Sequence, residues 1–224
     1  MNSSSALTFA PARHRHGSLR ERLLAYTKRT LNAGGSLNDA VALPQGENVA
    51  GWVAVHAIDF YNEVSTLWAV MAADPFVSTF QPGEGFPSGV EYRWPGEGGA
   101  TISVSAPVYI NKVLTWTMDQ INDESQFPDD GEDEEYALRV FESDKFAILC
   151  GQIFRRLFRV YGIIYYSFFK TYEELEMAAH VNTSFKHFIF FCTEFGILPD
   201  KEIEPLDTIV RPIRREYQKG KMAR

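Results

Sequence analysis

A mainly α-helical bundle with one small β-hairpin is the fold class the sequence predicts, and three observations carry it. Capping pairs of the S/T-x-x-E type, Ser18 with Glu21 and Thr171 with Glu174, stand before stretches of helical period. Proline and glycine punctuate the chain between such stretches, at NAGGS (32–36), Pro75 and Gly196. Extended pieces are confined to VEYRW (90–94) and TISVS (101–105), which flank PGEGGA and so pair as a single hairpin. The 224 residues suffice for one domain with a sizeable core.

Taken in order, residues 1–17 read as a disordered tail; a transit peptide is the weaker alternative, since the segment has basic residues and no acid before Glu21. The first helix runs from the Ser18 capping box to about Leu31. The loop ALPQGEN leads to a second helix, about Val49 to Ala73, with Trp52, Val55, Phe60 and Leu67 on one broad face and Pro75 as its stop. Ser105 caps a third helix with Pro107 in its first turn, ending near Ile121. Residues 122–145 read as a loop carrying the acidic run DDGEDEE (129–135). A long apolar helix follows, about Phe146 to Phe169, then a short one opened by Thr171 and Glu174. Asn182 to Ser184 start the next, which stops at Gly196. A last helix follows Pro205 and frays, so the domain is drawn as 18–216 with a basic tail at 217–224.

The net charge of −7 is strongly segregated. Residues 1–30 hold six Lys/Arg and one Glu, residues 31–145 four Lys/Arg and nineteen Asp/Glu, and residues 146–224 twelve Lys/Arg and nine Asp/Glu. The acidic middle repels nucleic acid and suits a basic protein partner. Cys150 and Cys192 sit in neither a CxxC nor a metal spacing, which points to a reduced intracellular protein. No run reaches the roughly 20 apolar residues of a membrane span.

The long helix carries the sharpest local signal. In IFRRLFRVYGIIYYSFF (153–169), Arg155, Arg156 and Arg159 fall within about 100° of helical arc, and Ile153, Phe154, Leu157, Phe158, Val160 and Tyr161 lie outside it. Guanidinium groups are planar forks that match phosphate oxygens, so the cluster is a candidate anion site; the alternative is three side chains reaching from an apolar helix to solvent. Asp59 and Glu63, one turn apart, form a carboxylate pair with no His or Lys placed beside them by motif, which is weak support for acid/base catalysis. His180 and His187 make a poor metal pair, because the Asn182–Ser184 start is expected to break the helix between them.

Five blocks then resemble one family. LPQGEN with GWVAVHAIDFYNEV (43–64), VEYRW (90–94), SAPVYINKVLTW (105–116), RRLFRVY (155–161) and HVNTSFKHFIFF (180–191) are similar, in order and spacing, to the Mob1-like branch of the Mob1/phocein family of Mob kinase activators. LTFAP (7–11) and TLNAGG (30–35) are similar to it as well. The resemblance covers about residues 18–212. It implies a Mob-type helical domain with a four-helix-bundle core, peripheral helices and no enzymatic activity. It implies a non-catalytic adaptor and coactivator in Hippo/NDR-type signalling, expected in the cytoplasm and also at the nucleus or cytoskeletal structures. Such a protein binds the basic N-terminal region of an NDR/LATS-class kinase through an acidic surface, and a phosphorylated upstream partner through a basic pocket. The pocket positions match Arg155, Arg156 and Arg159. The kinase-facing positions match Glu47, Trp52 and Asp59, with Gly51 where a Glu is usual. Thr8 and Thr30 match positions of regulatory phosphorylation. The alternative function is a phosphopeptide-binding scaffold that does not activate a kinase.

Two departures stand out. The family's zinc is held by two Cys and two His, and the corresponding positions here are about Pro75 and Gln81, and Ile163 and Phe168. None of the four can serve as a zinc ligand, so no metal cofactor is expected, and Phe76, Phe80, Ile163 and Phe168 are the predicted apolar replacement. Residues 126–146 are longer and more acidic than the family's segment, an insertion that is either solvated surface or an extension of the acidic docking face.

Overall fold

Ser18 opens the first helix: its Oγ accepts from the Glu21 N–H at 3.2 Å, and the Glu21 carboxylate accepts in return from the Gly17 N–H at 2.5 Å. The computed structural model describes residues 17–32, 36–128 and 131–223. Of the predicted tail at 1–17, residues 1–16, with Thr8 and LTFAP, lie outside the described residues. Helix α1 is Leu19–Asn32. A second capping box, Ser36 with Asp39, opens the short α2 (Leu37–Val41), ahead of the predicted loop ALPQGEN and in a stretch to which the sequence assigns no element. Asn48 caps α3 (Val49–Ala72), its Oδ1 accepting from the N–H groups of Ala50 and Gly51. Pro75 begins the 3-10 turn Pro75–Thr79 that ends this stretch.

The hairpin forms but is short. Strands β1 (Trp94–Pro95) and β2 (Thr101–Ile102) pair antiparallel, with Trp94 opposite Ile102 and Pro95 opposite Thr101. Residues 90–93 stay outside the ladder, and Pro95, which has no N–H to donate, limits it further. Helix α4 (Ala106–Ile121) has Ser105 at its N-cap and Pro107 in its first turn, although the Ser105 side chain makes no capping bond.

The remaining elements correct several sequence expectations. The acidic segment is not all loop: Asp133 accepts from the Tyr136 N–H at 2.8 Å and caps α5 (Glu134–Phe141), which buries Ala137 and Phe141. Ser143 caps α6 (Asp144–Ile163). This helix continues through one π-helical turn (Ile164–Phe168) into α7 (Phe169–Glu174), so Thr171 lies inside a helix and the predicted Thr171/Glu174 box does not form. Helix α8 (Ala178–Glu194) is unbroken at Asn182–Ser184. Those side chains bond across the fold instead of to local backbone: Ser184 Oγ donates to Glu63 at 2.7 Å, and Asn182 Oδ1 accepts from the Tyr165 hydroxyl at 2.8 Å. Gly196 at φ 62° terminates α8 as predicted. After α9 (Asp200–Ile203), α10 (Asp207–Met222) runs through most of the predicted basic tail, because Tyr217 is buried and packs on Phe190 at 5.2 Å.

Helices α3, α4, α6 and α8 make the core, as the family resemblance implies. Phe60 meets Phe188 at 5.1 Å, Phe154 meets Phe188 at 5.7 Å and Tyr161 meets Phe185 at 5.0 Å, all fully buried. Burial of each such ring contributes about 1.5–3 kcal/mol. Trp68 Nε1 donates to Asn111 Oδ1 at 2.6 Å and ties α3 to α4. Among the described residues no helix is long and apolar enough to cross a membrane.

Candidate anion-binding face and partner surface

The three arginines lie on one edge of α6, toward α4, the hairpin and α9, and each meets a different environment. Arg155 is half-buried and donates from Nε to the Gly151 carbonyl one turn earlier, at 3.0 Å. Arg156 is held between indoles, its guanidinium carbon 3.8 Å from the Trp116 ring centroid and 4.9 Å from that of Trp94. Its Nη1 is buried with no hydrogen-bond partner. Burial lowers the Arg156 pKa, and the charges of Arg159 and Arg155 push the same way against the favourable influence of Tyr109. Arg159 is engaged bidentately by Glu202: Nη2 donates to Oε1 at 2.8 Å and Nε to Oε2 at 3.1 Å. Burial opposes the Arg159 charge most strongly, yet Glu202 and the Tyr109 hydroxyl outweigh it and hold the pKa above its ordinary value. The Tyr92 ring lies 5.1 Å from the Arg159 guanidinium carbon, and burial raises the Tyr92 pKa to about 12, so that phenol is neutral.

The arginines are therefore close enough to influence one another, but they are not three free forks. The sequence placed them on one edge and missed what surrounds them: Trp94 and Trp116, Tyr92 and Tyr109, and Glu202. No spacing signals these partners, because they come from the hairpin, α4 and α9. The arrangement has the donors to take up an anion at Arg155 and Arg156, with Arg159 already satisfied by an internal carboxylate.

The residues expected to face a kinase are split. Glu47 accepts a forked pair of bonds from Arg22 at 3.1 and 3.2 Å, and Arg22 also reaches Glu134 at 3.0 and 3.2 Å, linking α1 to the α2–α3 loop and to α5. Bonding to Glu134 and then Glu47 raises the Arg22 pKa. Asp59 is half-buried on α3. Trp52 corrects the expectation: it is fully buried, with Nε1 donating to the Val41 carbonyl at 3.1 Å, so it supports the surface from within and presents nothing to a partner. Gly51 is buried too. A Cβ there would stand 3.0 Å from both Leu138 Cδ2 and Leu19 Cδ2, so α5 and α1 cover the position and a side chain there would require those two Leu side chains to give way.

The weaker candidates resolve as structure. Glu63 accepts from Ser184 and lies 3.8 Å from His187 Nδ1, while Ser184 Oγ also meets the Tyr161 hydroxyl at 2.6 Å. Ser184 thus spends its hydroxyl on a carboxylate and a phenol, which does not make a nucleophile–base pair. His56 is fully buried, Nδ1 at 3.0 Å from the Trp52 carbonyl, its ring stacked on Phe191 at 4.2 Å. Burial foremost, and then His187, lowers the His56 pKa to about 3. His180 is exposed. Of the phosphorylation candidates, Thr30 lies on α1 and Thr8 is outside the described residues.

Comparison with known proteins decides the family. The family model described as "Mob1/phocein family" matches residues 28–206. The chain belongs to the Mob1/phocein family. Among its relatives, "Maintenance of ploidy protein mob1" of Schizosaccharomyces pombe is 35% identical over 211 residues, covering 93% of this chain and 96% of the relative. "MOB kinase activator-like 1 homolog A" of Dictyostelium discoideum is 35% identical over 216 residues, covering 93% and 95%. "MOB kinase activator-like 1A" of Arabidopsis thaliana is 36% identical over 217 residues, covering 94% and 95%.

The zinc expected of a Mob1-like protein does not fit the residues present. Ile163 and Phe168 are fully buried. Gln81 directs its amide to the Thr79 carbonyl at 3.3 Å. Around Phe168 stand Trp68 at 5.3 Å, Phe80 at 5.6 Å and Phe76 at 6.4 Å. Among the described residues no group of three or more His, Cys, Asp or Glu is placed to hold a metal ion. Of the predicted apolar cluster, the three rings Phe76, Phe80 and Phe168 come together with unequal cover: Phe168 is sealed, Phe80 half-buried, and Phe76 is 50% exposed.

Proposed function

We propose that this chain is a non-catalytic adaptor and coactivator of an NDR/LATS-class kinase, working in the cytoplasm. Its acidic side, with Glu47, Asp59 and the α5 carboxylates, docks the basic N-terminal region of the kinase. Arg155 and Arg156, assisted by Arg159, take a phosphorylated segment of an upstream partner. The observation that supports this most is the gathering of three arginines on one edge of α6, two of them against aromatic rings, in a chain whose relatives are named kinase activators. Phosphorylation at Thr8 and Thr30 is part of the same reading, as a way for added charge to reposition the N-terminal segment.

The test has two steps. Affinity purification from cells is expected to recover a kinase of that class, whose activity rises when this protein is added. The double variant Arg155→Ala/Arg156→Ala is expected to lose phosphopeptide binding by at least about 30-fold, at about 1–2 kcal/mol per charged contact, while its melting profile stays native. Equal binding by the double variant would remove the phosphate reading.

A second reading is favoured by one specific observation. Leu138 of α5 packs over Gly51, where the family's kinase-facing Glu would stand. A scaffold that binds phosphopeptides without activating a kinase would tolerate that cover. Kinase recovered without any change in its activity would favour this alternative.

A further inference from the structure

An apolar cleft of about 570 Å³ opens where the first turns of α3 and α6 meet the end of α5 and the turn after α8. Val49, Val53, Phe146 and Ile197 supply its apolar walls, and buried Cys150 lies at its base. Burial pushes the Cys150 thiol up to about 12, so that base carries no charge. Among the described residues Glu142 is the one charged side chain that lines the cleft. Lys145 stands elsewhere, beside Ser125 and Gln126. The wall from α5 is held in place. Phe146 packs on Phe141 at 4.8 Å and on Phe127 at 5.0 Å. Asn48, the cap of α3, donates from Nδ2 to Glu142 Oε1 at 2.6 Å. Phe141, Glu142 and Phe146 belong to the acidic segment 126–146, whose part in docking the sequence leaves open. The cleft is thus formed before a ligand arrives, which lowers the cost of filling it.

We infer that this cleft docks a basic, amphipathic segment of a partner protein: one bulky apolar side chain enters it, and a neighbouring Arg or Lys meets Glu142. The partner's identity, a kinase with a basic region, rests on the docking proposed above. Charge complementarity selects the occupant. Glu142 repels an acidic or phosphorylated segment, and a purely apolar one gains nothing from it. Glu135, two helical turns earlier on the same side of α5, adds a second carboxylate. The acidic side needs such an anchor. Glu47 and Glu134 are already paired with Arg22, so an incoming cation would exchange one surface pair for another. Glu142 is exposed as well, and its pairing gives steering and selectivity more than affinity. The apolar side chain supplies affinity by leaving water, and salt does not screen that part.

The experiment selects random dodecapeptides, displayed on phage, on the full chain and on its Ala147→Trp and Gly151→Trp variants. Both substitutions fill the cleft at little cost to the fold: Ala147 is exposed, and a Cβ at Gly151 meets nothing within 4 Å. A thermal melt of each variant checks this. Wild type is expected to enrich peptides with a Leu, Ile, Met or Phe and an Arg or Lys within about four residues of it. The best of them, labelled with fluorescein, should lose at least about tenfold in affinity when either substitution fills the cleft. The same loss should follow when its apolar residue becomes Ala, the effect of one buried side chain. Glu142→Gln should weaken it about two- to fivefold and flatten its salt dependence. Peptides that bind the folded Trp variants as tightly as wild type would overturn the inference. Selection of acidic sequences, of uncharged ones or of none would overturn it too. So would self-association abolished by filling the cleft, since the occupant would then be a second copy of this chain. A kinase that co-purifies equally with wild type and Gly151→Trp would overturn the inference and leave kinase docking standing. Peptides of the expected kind with no kinase recovered would remove kinase docking and leave the chemistry of the occupant standing.

Discussion

The two ends of the α6 rod solve opposite problems. From Arg155 to Arg159 the helix carries three positive charges at the edge of an apolar core, and the fold houses them with aromatic faces, a backbone carbonyl and the Glu202 carboxylate. From Gly162 to Phe168 the same rod carries no charge, and Ile163 and Phe168, which the resemblance sets against two of the family's zinc ligands, are fully buried. The charged end depends on partners fixed one by one in space. The apolar end depends on the amount of ring surface removed from water. The first arrangement depends on the direction and distance of each contact; the second is tolerant in detail and strong in sum.

Truncation at the apolar end should give the largest effect. Phe168→Ala is expected to lower stability by about 3–5 kcal/mol, read by urea denaturation, whereas Phe76→Ala, at a half-exposed position, should lower it by less than about 1 kcal/mol. Equal losses would mean that the rings act as one unit and that exposure does not grade them.

Acid should distinguish the core beneath the charged end from the base. His56 is neutral when folded because burial depresses its pKa to about 3, while the unfolded chain takes up that proton near 6.5. The unfolded state therefore binds more protons below pH 6.5, so stability is full above that pH and falls as pH drops toward 3. The expected slope from this group is about 1.4 kcal/mol per pH unit. Denaturation curves at several pH values should show it, and a fully folded His56→Phe variant should lose that component of the slope.

Breaking the Glu202–Arg159 pair should have a smaller effect on the fold than either of these changes. Glu202→Gln is expected to change stability by about 1 kcal/mol or less, since the pair is only partly buried and Gln can still accept from the guanidinium. A loss above about 3 kcal/mol would make the pair a structural element of the core edge.

The smallest expected effect is that of metal. With the base of α6 closed by rings, a chelator or added zinc should shift the melting temperature by less than about 1 °C. Stoichiometric zinc in the purified protein, found by elemental analysis, would contradict the proposed metal-free base.

Much of the fold was legible in the residues. Ser18 and Gly196 mark helix ends because capping and termination are local chemistry, set within three or four residues. The same logic misled at Thr171 and at Asn182–Ser184, where capping residues lie inside helices. Ser184 and Asn182 spend their side chains on Glu63 and Tyr165, partners from elsewhere in the chain. Helix α5 was missed because only tertiary contact tells EEYALRVF which face to bury: Ala137 and Phe141.

The sequence by itself determined which residues share the arginine edge, because helical phase depends on spacing alone. It also determined the family, because five blocks keep order and spacing, and it put side chains without metal-binding atoms at Ile163 and Phe168, because donor atoms are a property of residue identity. Only the tertiary structure decided that Trp52 belongs to the core, that Leu138 closes over Gly51, and that Glu202 holds Arg159. The physical reason is the same in each case. These are contacts between side chains distant along the chain, and their energies exist only once the backbone has brought them within a few ångströms.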